Sequence, residues 1–265
     1  MNGAKIAIFA SGSGSNAQNI VLYMRENNNI FTITPTIILS NKTDAFVLER
    51  AAKLGVKSHT FTAKELREDD IVDNILNSNN IDFIILAGFL LKLPDRFIQK
   101  YRGRIINIHP SLLPKFGGKG MYGDAVHKAV IESGEKESGI TIHLVDEIYD
   151  NGEHIFQARC NISEGETPMT LANKIHDLEK EHFPRVICEY IKKYPTIGTE
   201  QESLRQIRIL YNQSRQIPQT DLRGSAALFQ KSNQPLCALP FFQVTRLSSG
   251  AMLHTKSGCS GRGSF

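Results

Sequence analysis

The chain has 265 residues, enough to bury a proper core in one large domain or two modest ones, and its 41% hydrophobic and 22% charged content is ordinary for a globular protein. No apolar run reaches the ~18 residues a membrane span needs, and Cys160, Cys188, Cys237 and Cys259 show neither CxxC spacing nor a dense framework, which argues against metal or disulfide roles. The formal charge of +4 suggests an acidic partner, yet residues 196–265 hold eight Lys and Arg against three acids, so the first 195 are near neutral and the surplus says little about their substrate.

Residues 1–5 run straight into a strand-like segment without a signal-peptide pattern, giving the expectation of a cytoplasmic protein. KIAIFA (5–10) is a short apolar run, SGSGSN follows, and residues 17–25 are amphipathic: strand, tight turn, helix. TPTIILS (34–40) reads as a second buried strand and residues 45–54 as a helix closed by Gly55. A short strand over 56–61 precedes a polar helix over 65–77 with Leu66, Ile71, Ile75 and Leu76 as its apolar positions. FIILAG (83–88) and RIINIH (104–109) have the near-continuous apolar character of parallel strands covered on both faces. The alternation predicts an α/β fold built on an open, doubly wound, mostly parallel sheet.

After His109 comes a loop rich in Gly and Lys, then a helix over 124–133, strands over 139–145 and 154–162, and a long helix over 168–193. Pro168 suits the first turn of that helix and Pro195 ends it. From Thr196 onward neither strand nor helix periodicity holds, and the sequence ends SGCSGRGSF. The expected organisation is a catalytic domain over 1–195 and an irregular, poorly ordered C-terminal extension over 196–265. A small basic-binding module and non-native sequence are competing readings of that extension.

Three constellations carry chemistry. In the first turn, glycines let the backbone of SGSGSN approach an anion, and the following helix offers free N–H groups. Gly12, Gly14 and Ala17 also satisfy the loose dinucleotide pattern GxGxxA, but the second strand ends in Ser40-Asn41 instead of the acid that would hold a ribose, which disfavours a nicotinamide cofactor. In the fifth strand, Asn107 and His109 point to the same side at its carboxyl end, where open α/β sheets bind ligands. The amide suits a polarised carbonyl oxygen and the imidazole moves protons near neutral pH. Asp150 lies in the turn after Val145; beside His109 its carboxylate would raise the histidine pKa. Asp146 and Glu147 share that turn, and the residues alone do not choose between Asp150 and Asp146.

The ordered combination of SGSGSN, LAGF (86–89), INIHPSLLP (106–114), DxxxDNG (146–152) and the 179–184 stretch resembles the phosphoribosylglycinamide formyltransferase family of folate-dependent formyltransferases, over about residues 5–194. The resemblance implies a formyltransferase-type sheet with a Rossmann-like N-terminal half and a role in purine biosynthesis and one-carbon metabolism. The substrates it implies are small molecules, 5-phosphoribosylglycinamide and the co-substrate 10-formyltetrahydrofolate, with no metal, nucleic acid or membrane. Gly14, Ser15 and Asn16 then correspond to the phosphate-binding turn, and Asn107, His109 and Asp150 to the catalytic set. Leu90, Leu91, Lys92 and Leu93, together with Asn107, fall on the folate side. Arg67 is the candidate basic residue for the folate, and Glu179 the acid that meets the glycinamide amine. The family's usual Asp-small-Gly is spelled Asp-Asn-Gly here. Lys119, His127 and the GGKG loop are further candidates for the border of the folate site, with a mobile surface loop as the equal alternative.

The implied reaction is direct attack of the amine on the formyl carbon, with His109 and Asn107 on the oxyanion and Asp150 supporting His109 and proton transfer. Methionyl-tRNA formyltransferase shares the Asn-x-His-Pro-Ser centre, but residues 196–265 lack the evenly spaced strands of an RNA-binding barrel. Formyltetrahydrofolate hydrolase and a non-catalytic nucleotide-binding protein are two more rivals. The first carries an N-terminal regulatory domain in its family, and the second leaves Asn107, His109 and Asp150 without a task.

Overall fold

The computed structural model describes residues 3–194; the expectation for the extension at 196–265 lies outside them. The elements run β1 (Ala4–Phe9), α1 (Ser15–Glu26), β2 (Ile33–Ser40), α2 (Phe46–Leu54), β3 (Lys57–Thr60), α3 (Ala63–Glu68), α4 (Ile71–Ser78), β4 (Phe83–Leu86), α5 (Asp95–Lys100), β5 (Ile105–His109), α6 (Asp124–Glu132), β6 (Glu137–Leu144), β7 (His154–Asn161) and α7 (Pro168–Lys193). They build a seven-stranded sheet of order β3-β2-β1-β4-β5-β6-β7. The strands from β3 to β5 are parallel, while β6 and β7 join antiparallel at one end.

The apolar runs of β1 and β4 are buried on both faces because helices cover both sides. One core holds Ile6, Ile8, Ile38 and Ile85 with residues of α1, α6 and α7; the other holds Ala7, Phe9, Leu39 and Ile84 with residues of α4 and α5. Alternating residues of β1 thus feed opposite layers, as the period of two demands. The chain runs outward from β1 to β2 on one side and to β4 on the other. A crevice therefore opens at the carboxyl ends of β1 and β4, where the winding reverses.

Two helices differ from the sequence expectation. The single helix over 65–77 is two, α3 and α4, because Asp69 is extended (φ −110°, ψ 161°). The carbonyls exposed by the break are taken by Arg96, which donates to those of Leu66 (2.6 Å), Arg67 (2.8 Å) and Asp69 (3.0 Å), and also to the Asp73 carboxylate (2.9 Å). The six-residue α5 carries Arg96 and is under two turns long, too short to show a period. Arg96→Ala should lower unfolding free energy by about 1–3 kcal/mol. Lys at this position recovers little, since an ammonium lacks the guanidinium fork. Urea denaturation reads both variants, and a change within experimental scatter for Ala would refute the tie.

Candidate active site

The SGSGSN turn takes its shape from a contact with α2, which packs beside α1 on the same face of the sheet. Gly14 caps α1 at φ 74°, ψ 22°, and a Cβ there would fall 2.4 Å from Val47 Cγ2 and 2.8 Å from its Cα. The Val47 N–H donates to the Gly12 carbonyl (3.2 Å), and Arg50 Nε donates to that of Ser13 (2.8 Å). Among the described residues no side chain caps the helix, and its first turn holds no acid, so its N–H groups are open as an anion site. Ser11 joins this turn to the segment after β4: its hydroxyl donates to Asn41 Oδ1 (2.6 Å) and accepts from the Leu90 N–H (3.0 Å). Phe89 is anchored edge-on against Phe9 at 5.3 Å and tilted against Phe61 at 6.0 Å. With the Leu90 N–H committed to Ser11, backbone contacts to a ligand are left to the rest of residues 90–93.

Asn107 and His109 share one side of β5, and the antiparallel pairing puts His143 and Thr141 of β6 opposite them. The Thr141 hydroxyl donates to the Ser111 carbonyl (2.7 Å) and accepts from the Leu113 N–H (3.0 Å), pinning the turn after His109. His143 Nδ1–H donates to the Leu144 carbonyl (2.8 Å), which leaves Nε2 to accept from Asn107 Nδ2 (3.1 Å). The amide is thereby oriented, with its second N–H free for a ligand. Sequence reasoning missed His143; only the β5–β6 register brings it forward.

The turn between β6 and β7 separates the two aspartates. The Asp146 carboxylate accepts from the Ile148 N–H (2.9 Å) and from Asn151 Nδ2 (3.2 Å), so it serves its own turn. Asp150 points inward, 3.6 Å from His109 Nδ1 and 3.7 Å from His143 Nε2, and accepts from the Gly118 N–H (2.8 Å). A Cβ on Gly152 would lie 1.8 Å from the Leu144 carbonyl oxygen, so the glycine of DNG lets the turn close onto β6. His109 is 3% exposed and its Nε2–H donates to the Phe116 carbonyl (2.8 Å).

Burial lowers the His109 pKa more than Asp150 and the Phe116 carbonyl raise it. That corrects the expectation of a raised value: the carboxylate acts in the expected direction, and desolvation outweighs it. Burial likewise lowers His127 and His143 and raises Glu179, while Asn16 Nδ2 donates to Glu179 Oε2 (2.9 Å) and opposes the shift. Below the ordinary histidine value of 6.5 the unfolded chain therefore takes up protons that the folded imidazoles refuse. Stability should fall as pH drops from 7 through that window. Glu179 works the other way, because the folded chain keeps its proton above the ordinary 4.5. Glu179→Gln should steepen the loss, and denaturation midpoints at pH 7, 6 and 5 test both statements. A flat wild-type profile would contradict the first.

One cavity of about 700 Å³ collects these parts: Gly12–Asn16, residues 90–93, Asn107, His109, Asp150 and Glu179 all line it. Lys119 and His127 border it, and so do Lys42 and His176, which the sequence reading did not single out. Arg67 is not brought there: it is exposed on α3, the helix that follows edge strand β3. The cations bordering the cavity are instead Lys42, Lys92 and Lys119. Among the described residues no cluster of His, Cys, Asp and Glu is placed for a metal ion, and no helix is long and apolar enough to cross a membrane. The Cys188 thiol is buried and pushed up to about 12, which keeps it from acting as a nucleophile.

The formyl transferase family matches residues 4–187. The phosphoribosylglycinamide formyltransferase of Bacillus subtilis (strain 168) is 38% identical over 192 residues, 71% of this chain and 94% of its own. The chloroplastic phosphoribosylglycinamide formyltransferase of Arabidopsis thaliana is 39% identical over 196 residues, 70% of this chain and 65% of its own. Two trifunctional purine biosynthetic proteins, from Drosophila pseudoobscura pseudoobscura and Drosophila melanogaster, are 39% and 35% identical, and the chain spans only 13% and 15% of their length. Among solved structures, glycinamide ribonucleotide transformylase 1 from Geobacillus kaustophilus aligns at TM-score 0.65 and 33% identity, covering 71% of this chain and 98% of that one.

Proposed function

Because the chain belongs to the formyl transferase family, we propose that it transfers the formyl group of 10-formyltetrahydrofolate to the amine of 5-phosphoribosylglycinamide, a step of purine biosynthesis. The observation that carries this reading is the single cavity in which an anion-binding helix terminus, a buried carboxylate at Glu179 and the Asn107/His109/Asp150 group face one another. The α1 N-terminus at Gly14–Asn16 takes the acceptor's phosphate. Glu179, its pKa raised by burial, accepts a hydrogen bond from the acceptor amine, and the same burial disfavours the charged ammonium relative to the nucleophilic amine. Residues 90–93 give backbone groups to the pterin, and Lys42, Lys92 and Lys119 supply positive charge for the acidic tail of the folate.

The amine attacks the formyl carbon and negative charge grows on the formyl oxygen. The free N–H of Asn107 and a proton on His109 stabilise it. A negative oxygen beside the ring adds to the pull of Asp150 and favours the imidazolium that burial disfavours in the empty site. The carboxylate of Asp150 then helps carry the proton lost by the amine toward the departing folate nitrogen. A cytoplasmic location belongs to the same proposal, and cell fractionation tests it. An assay comparing 5-phosphoribosylglycinamide, tRNA-bound methionine and water as formyl acceptors decides the substrate. Preference for tRNA-bound methionine or for water overturns the reading.

A further inference from the structure

Two imidazoles border the cavity near Glu179 without a place in the transfer centre. His176 stands one turn before Glu179 on α7, and His127 lies on α6, which packs against α7. His127 is 3% exposed, and its Nδ1 has no hydrogen-bond partner among the described residues. Nδ1 is sealed from the cavity, so the ring meets a polar group there through Nε2, which has no hydrogen-bond partner among the described residues.

The surroundings narrow what that group is. His127 lines the cavity together with His109 of the transfer centre and His176 of α7, and His176, Asp124 and His109 all act on its charge. Burial outweighs Asp124 and keeps the ring neutral, with one nitrogen as donor and one as acceptor. Phosphate prefers cations and clustered N–H groups, which the α1 terminus already offers. A neutral imidazole instead suits an uncharged hydroxyl, and a phosphorylated sugar amine held at its phosphate and amine ends carries such hydroxyls between them.

We propose that His127 is a specificity residue for the acceptor and hydrogen-bonds a sugar hydroxyl of the phosphorylated amine; this rests on the acceptor assigned above. Binding calorimetry with 5-phosphoribosylglycinamide, alongside steady-state kinetics, tests it in the full-length protein. His127→Ala should weaken acceptor binding about tenfold, leave the folate KM and kcat within about threefold, and be partly rescued by His127→Asn, which keeps a donor and an acceptor. An acceptor analogue lacking the sugar hydroxyls should bind wild type weakly and show no further loss in His127→Ala. Unchanged acceptor affinity overturns the inference. So does a parallel rise in both KM values with a lowered Tm, which marks a purely structural or water-filled site, or a loss confined to kcat with a shifted pH profile, which marks proton transfer. Failure of the acceptor assignment itself appears separately, as wild-type protein that neither binds nor formylates this amine.

Discussion

His109→Asn should lower kcat by about 10²–10⁴-fold while the chain still folds. The ring is the one group at the end of β5 that faces Asp150, and it lies next to the Asn107 amide in a cavity where charge is weakly screened. Asn in its place fills part of the volume and still donates a hydrogen bond, but it carries no proton that moves near neutral pH. His109→Ala should lose as much activity and also cost stability, since the Phe116 carbonyl then loses its donor. Asp150→Asn separates charge from shape: the amide oxygen still accepts from the Gly118 N–H, yet its charge no longer favours the imidazolium. Turnover with saturating substrates, read beside thermal melts, gives the answer. Near-normal kcat in both His109→Asn and Asp150→Asn would remove this centre from the mechanism.

The second large effect belongs to a glycine. Gly14→Ala should raise the KM for the phosphorylated acceptor at least about tenfold and destabilise the protein by about 1–3 kcal/mol, with a smaller change in the folate KM. Two costs add at this position. A left-handed φ of 74° strains any L side chain, and the new Cβ would meet the Val47 backbone. Flexible side chains yield to such a contact, but a backbone atom at the start of α2 does not. Relief requires the turn to move off α2 and turn its N–H groups from the phosphate. Gly12 is the control: a Cβ there meets none of the described residues within 4 Å, so Gly12→Ala should be the milder change. Equal effects at the two positions would refute the steric account.

Local signals were strong enough to read much of the molecule from its residues. The apolar runs of β1, β4 and β5, the Gly55 stop after α2 and Pro168 at the start of α7 are short-range features, and each appears where the sequence puts it. The period of two likewise placed Asn107 and His109 on one side of their strand. Length defeated the rest of the local reading: α5 is too short for a period, and the extended Asp69 interrupts an otherwise helical pattern.

What no local pattern contains is a pairing between distant segments. The β5–β6 register, a contact across 36 residues, brought His143 to Asn107. The fold of the 145–152 turn, held by Gly152 against β6, sent Asp150 inward and kept Asp146 for the turn. Helix α3, next to edge strand β3, left Arg67 away from the cavity. The sign of the His109 shift was decided the same way. A carboxylate neighbour is visible in a sequence as a candidate partner, whereas the water removed from around a ring depends on every segment that covers it.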